Sequence, residues 1–119
     1  MSQPNEHLML ALDVDSGLKA VEWVKRLKPF ISWYKVGSRL FLAEGPHIID
    51  QIHKSGGKVF LDLKFYDIPN TVAQAGVEAS RMGVEMFNVH ALGGIDMMKA
   101  CMESCADFSL QQQVPLPKI

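Results

Sequence analysis

The sequence predicts an α/β fold of the (β/α)8-barrel (TIM-barrel) class, carried by four successive βα units. Three observations predict it. Short apolar runs alternate with amphipathic stretches in the order βαβαβαβα, which calls for parallel strands joined by right-handed crossovers. Polar residues fall at the predicted C-terminal ends of the strands, at Asp13, Lys35, Asp62 with Lys64, and His90, spaced by 22, 27 and 28 residues. That spacing is one βα unit each time, and the C-terminal strand ends are where a barrel of this class builds its active site. Finally, the segment after the first strand, Asp13-Val-Asp-Ser-Gly17, is not the G-x-G-x-x-G that a doubly wound dinucleotide-binding sheet places there.

The elements follow in order. Residues 8–14 read as a strand, and Asp15 or Ser16 caps a helix with apolar positions Leu18, Val21, Val24 and Leu27. Residues 33–37 form a short second strand, while 40–43 fit either state. Pro46 suits a first helical turn, Ile48, Ile49 and Ile52 give that helix its apolar face, and Gly56-Gly57 ends it. Residues 58–64 are the third strand. Ile68 must be extended because proline follows it, and Thr71 with Gln74 has the spacing of a capping box opening a third helix. Val72, Ala75, Ala79 and Met82 line that helix, which closes at Gly83. Residues 86–90 are a fourth strand, and Gly93-Gly94 leads to a fourth helix with Ile95, Met98, Cys101, Met102 and Cys105 on its apolar face. Met97, Met98 and Met102 read as core residues. The stretch 107–119, with two prolines and three consecutive glutamines, reads as a loop that ends where another strand begins.

Composition narrows the function. With 119 residues, 48% of them hydrophobic, and a formal net charge of −1, the chain lacks the bulk positive charge that binds nucleic acid or anionic membranes. No apolar run approaches the roughly 20 residues of a membrane span. The first seven residues have no basic segment followed by an apolar one, so no signal peptide is expected and the expected compartment is the cytoplasm. Cys101 and Cys105, four apart in a helical pattern, read as small buried thiols rather than a disulfide or a metal site.

Chemistry concentrates in Phe60-Leu-Asp-Leu-Lys-Phe-Tyr-Asp-Ile-Pro-Asn-Thr71. Two carboxylates and an ammonium stand within six positions of an otherwise apolar strand, and charges are seldom buried unless paired or used. Strand alternation puts Phe60, Asp62 and Lys64 on one face, the two charges roughly 6.6 Å apart along the chain, with Leu61, Leu63 and Phe65 on the other. Each charge also has a structural reading: Asp13 as a helix cap, Lys35 reaching out of a short strand, Asp62 with Lys64 as a structural ion pair, Asp67 shaping the loop before Pro69. Jointly they suit catalysis better, because burying five charges for structure alone seldom repays their desolvation. An ammonium beside a carboxylate stays protonated and can donate to a carbanion, while carboxylates disfavour an anionic group that leaves as a neutral molecule. Such chemistry needs no cofactor when the substrate itself delocalises the carbanion. The chain carries no P-loop, H-E-x-x-H or G-x-S-x-G motif. His90 stands at a strand end as ligand contact or structural residue, and His7, His47 and His53 read as solvated or capping.

These residues resemble the orotidine 5'-phosphate decarboxylase family, especially its bacterial branch. The resemblance rests on Leu10-Ala-Leu-Asp13, Tyr34-Lys-Val-Gly37, the twelve-residue motif 60–71, and Asn88-Val-His-Ala91 followed by Gly93-Gly94. It implies a lyase of UMP biosynthesis in which Lys64 protonates C6 of the pyrimidine after CO2 leaves and Asp62 sits against the departing carboxylate. It further implies a charge network of Lys35, Asp62, Lys64 and Asp67, with Asp13 and Lys35 holding the ribose hydroxyls. No cofactor and no metal is implied. Asp67, Ile68 and Thr71 are implied to reach a neighbouring subunit's site in a homodimer. Barrels of this class run to roughly 250 residues, so residues 1–119 are expected to be the N-terminal half of one, with strands five to eight absent and no activity alone. Two other readings stand beside this one. Sugar-phosphate decarboxylases and hexulose-phosphate synthases of the same superfamily share an Asp-x-Lys-x-x-Asp motif and use it to hold Mg2+. A non-catalytic half-barrel would keep the motif and only bind or assemble.

Overall fold

In the computed structural model, residues 3–119 are described; they form four strands and five helices, in the expected alternation except that two helices instead of one separate the second and third strands. Two compact units divide the chain, residues 1–62 and 63–119. Hydrogen-bonded strand neighbours follow chain order, β1-β2-β3-β4.

The first unit holds β1 (Asn5–Ala11), α1 (Gly17–Leu27), β2 (Ile31–Gly37), α2 (Ser38–Glu44), α3 (His47–Lys54) and most of β3 (Lys58–Phe65). β1 pairs parallel with β2 and β2 with β3, in a register that sets Ala11, Lys35 and Phe60 in one row and Gly37 beside Asp62. Its core is Leu12, Val24, Tyr34, Val36, Leu40, Ile48, Ile49, Ile52, Val59 and Leu61, all fully buried. Ser16 caps α1 by accepting the Lys19 N–H, so of the two candidate caps the hydroxyl serves. α1 buries Val24 as expected, together with Ala20, and half-buries Val21 and Leu27; of the expected apolar positions only Leu18 lies exposed. The stretch 40–43 is helical, within α2. At the N-terminal ends of the strands Glu6 accepts hydrogen bonds from Lys58 and Ser32. These bonds, the Lys58 one foremost, hold its carboxyl below the usual range. Their contribution is therefore present above ordinary carboxylate pH and is lost as acid protonates the group.

The second unit contains the end of β3, α4 (Pro69–Arg81), β4 (Met86–Val89), a 3-10 turn (Ala91–Gly93) and α5 (Ile95–Gln112). The expected capping box does not form. α4 starts three residues earlier, with Pro69 in its first turn and the extended Ile68, in place of Thr71, as an N-cap that has no side-chain bond. Proline's fixed φ and missing N–H suit that position, so the helix needs no hydroxyl cap, and Thr71 lies inside the first turn. α5 extends to Gln112, so the glutamine run is helical and not a loop; glutamine is a good helix former, and Gln113 ends the helix in the left-handed conformation. Beyond it Lys118 pairs parallel with Met86, the expected start of another strand. α5 buries Met97, Cys101 and Cys105, while Met102 and Ile95 are exposed and Met98 is half-buried. Both cysteines are free and buried, as expected.

α4 and α5 pack closely because Gly76 has no side chain. A Cβ there would lie 2.7 Å from Cys101 Sγ, 2.9 Å from Cys105 Sγ and 3.1 Å from Phe87 Cζ. In an exposed helix Gly→Ala gains about 1 kcal/mol; here overpacking of about 1–3 kcal/mol opposes it. Gly76→Ala is therefore expected to lower the urea midpoint of unfolding, and a raised midpoint would show that the helices can move apart freely.

Candidate active site

Regular parallel pairing positions the charged groups of the first unit. Because Ala11 and Lys35 share a row, Asp13 lies two residues past the end of β1, exposed, on the side toward which β2 and β3 carry Gly37 and Asp62. Lys35 Nζ lies 3.2 Å from Asp62 Oδ2, the lysine side chain 29% exposed and the aspartate 8%. A carboxylate so buried requires a compensating cation, and the lysine stem reaches it from the neighbouring strand. The structure thus joins Lys35 to Asp62, two members of the charge network that the family resemblance implied.

In the second unit β3 does not end as a plain strand. Lys64 has φ +51°, in the left-handed region that non-glycine residues seldom adopt. Such a conformation costs a lysine about 1–2 kcal/mol. It interrupts the two-residue alternation that the sequence reading assumed, and Lys64 lies exposed while Asp62 is buried. The Lys64 N–H donates to Asn88 Oδ1 at 2.9 Å, and the Phe65 carbonyl accepts the His90 N–H at 2.9 Å. Asn88 of β4 and His90 just after it thus hold the peptides on either side of the Lys64–Phe65 peptide.

A cleft of about 300 Å3 opens beside this bend, lined by Leu63, Lys64, Tyr66, Asp67, Thr71 and Val72 among others. It brings together three of the expected site residues, Lys64, Asp67 and Thr71. Asp67 Oδ1 accepts the Ile68 N–H at 2.7 Å, so the carboxylate does shape the turn into Pro69. Ile68 and Tyr66 are exposed, and the Tyr66 ring stacks on His90 with centroids 5.1 Å apart. His90 Nδ1 accepts the Leu92 N–H at 3.2 Å, which caps the 3-10 turn, so the structural reading of this histidine holds. Asn88 entered the sequence reading only within the Asn88-Val-His-Ala91 motif and was given no role of its own. Its other signal was a polar side chain inside a four-residue apolar strand.

Residues 6–114 match the profile of the family described as Orotidine 5'-phosphate decarboxylase / HUMPS. The chain is 51% identical over 114 residues to the orotidine 5'-phosphate decarboxylase of Syntrophotalea carbinolica, covering 95% of this chain and 47% of that protein. To that of Syntrophus aciditrophicus it is 47% identical over 115 residues, covering 96% and 46%. Among solved structures, orotidine 5'-phosphate decarboxylase from Lactobacillus acidophilus matches with a TM-score of 0.78 at 31% identity, over 98% of this chain and 51% of that one. The enzyme from Methanocaldococcus jannaschii, complexed with the inhibitor BMP, gives 0.77 at 31% identity over 95% and 50%. The chain spans about half the length of the curated relatives it matches. The fold is accordingly the first four βα units of a TIM barrel.

The strain at Lys64 makes a prediction of opposite sign for stability and chemistry. Lys64→Gly relieves the left-handed penalty and is expected to stabilise the chain by up to about 1 kcal/mol in urea unfolding. Destabilisation would mean that the lysine side chain contributes more to the fold than its backbone conformation costs.

Proposed function

Because the chain belongs to the orotidine 5'-phosphate decarboxylase / HUMPS family, we propose that it supplies the acid–base groups of an orotidine 5'-phosphate decarboxylase. The observation that carries the proposal is the pairing of Lys35 with the buried Asp62 in the C-terminal halves of β2 and β3, in a chain 51% identical to such an enzyme. In this reading the bond between C6 and the carboxyl carbon of orotidine 5'-phosphate breaks, CO2 leaves, and the electron pair stays on C6. Lys64 then gives C6 its proton, and the product is UMP.

Each residue has a part set by its charge and surroundings. Asp62, fixed as a carboxylate by Lys35, stands against the substrate carboxylate, a repulsion that ends as CO2 departs; only such differential interactions speed the step. Asp13 and Lys35 hold the ribose hydroxyls. Neither a metal nor an organic cofactor takes part, since the pyrimidine ring spreads the developing charge. Asp67, Ile68 and Thr71 serve the site of a second subunit in a homodimer; the exposure of Ile68 and Tyr66 beside Asp67 suits a segment that meets a partner. Among the described residues no helix is long and apolar enough to cross a membrane, which suits the cytoplasmic location proposed here. Phosphate binding falls to the other half of the barrel, because barrels of this class bind phosphate after strands seven and eight. Remote phosphate contacts feed the reacting carbon, so this chain alone is expected to lack turnover.

The test pairs this chain with the C-terminal half of the Syntrophotalea carbinolica relative and follows CO2 release from carboxyl-labelled orotidine 5'-phosphate. Release is expected in EDTA and is expected to vanish in Lys64→Ala; loss of activity on chelation would favour the Mg2+-dependent members of the superfamily. A folded pair without activity would favour a non-catalytic role. Mixing separately inactive Lys64→Ala and Asp67→Ala chains is expected to restore part of the activity, because a shared site regains one intact set; no recovery would place Asp67 in its own subunit's site.

A further inference from the structure

We infer that Asn88 is a positioning residue: its side-chain oxygen holds the Lys64 peptide in the left-handed conformation and so fixes the origin from which the Lys64 ammonium reaches. The inference deepens the decarboxylase reading, on which its catalytic part rests. Three observations carry it. Lys64 is one of only two non-glycine residues with positive φ among those described, and the other, Gln113, merely ends a helix. The Lys64 N–H donates to Asn88 Oδ1 at 2.9 Å. One residue later the ordinary main-chain pattern resumes, with the Phe65 carbonyl accepting the His90 N–H.

The physical reason is one of satisfying a displaced donor. In a regular ladder a strand N–H meets a carbonyl of its neighbour, but a left-handed residue turns its peptide out of that ladder, as in a bulge. An acceptor must then come from a side chain. Of the amide's two ends only the oxygen can accept, so the bond also fixes how the Asn88 amide is turned. Asparagine at this register position has the reach to meet the Lys64 N–H while its own backbone remains in β4. An apolar residue there would leave the N–H to water and allow φ at Lys64 to relax toward the β region. The Cα–Cβ bond of Lys64 would swing with it, moving the ammonium by far more than catalysis tolerates.

Asn88→Leu and Asn88→Ala remove the acceptor, and Asn88→Asp keeps it. In the isotopically labelled 119-residue chain, both acceptor-less variants are expected to raise hydrogen exchange at the Lys64 amide at least severalfold and to change its HN–Hα coupling toward the strand value. The His90 amide serves as an internal control and is expected to stay protected. In the chain paired with the C-terminal half, the acceptor-less variants are expected to lower kcat roughly 10- to 100-fold with little change in KM, and Asn88→Asp to recover most of it. Unchanged Lys64 exchange in Asn88→Leu and Asn88→Ala would overturn the inference, as would altered exchange with unchanged kcat. Should the unmodified pair show no decarboxylation, the functional reading fails, and the exchange and coupling data still decide whether Asn88 holds Lys64.

Discussion

The ion pair between Lys35 and Asp62 is the interaction on which the rest of the first unit's chemistry depends. Asp62 is buried at the end of β3, and a lone carboxylate there would be costly to keep charged. Parallel register solves the problem. It brings Gly37 beside Asp62 and leaves Lys35 one pleat earlier on β2, from where its stem spans to the carboxylate. Gly37, with no side chain, leaves the space beside the pair open: a Cβ built there meets nothing within 4 Å. Breaking such a pair by removing one partner costs far more than the pair itself contributes, which is why both members are tied to one strand register.

The second unit meets a different demand. A strand delivers side chains alternately to two faces, which is a coarse way to aim one ammonium. Here the chain leaves the regular strand conformation at Lys64, accepts the backbone strain, and recovers the lost ladder bond through Asn88. The turn that follows is held by Asp67 at the Ile68 N–H and started into α4 by Pro69. Strain of this kind persists only where surrounding contacts over-determine it, and β4 provides them on both sides of the bend.

Much of this was legible in the sequence. The βα order, the helix ends before Gly56-Gly57 and Gly83, the helix start after Gly93-Gly94, and the polar strand ends all follow from periodicity and from turn residues. What escaped has local physical causes. The Thr71–Gln74 capping box lost to Pro69, whose ring already supplies a helical φ without needing a cap. The glutamine run lost its loop reading because glutamine is a good helix former and α5 continues into it, ending at Gln112. Leu18 is exposed because α1 buries Ala20 and Val24, and Met102 because α5 buries the face of Met97, Cys101 and Cys105. The contact made by Asn88, a residue read only as part of a motif, could not be foreseen: it depends on a backbone angle at Lys64, 24 residues away in sequence.

The most direct test is a double-mutant cycle on Lys35 and Asp62, with Lys35→Met, Asp62→Asn and the double variant followed by urea unfolding of the chain. A register-fixed pair with a buried carboxylate predicts that the double variant is less destabilised than the sum of the singles, with a coupling of about 1 kcal/mol or more. Additivity within about 0.3 kcal/mol would contradict it, and with it the claim that Asp62 owes its buried charge to Lys35.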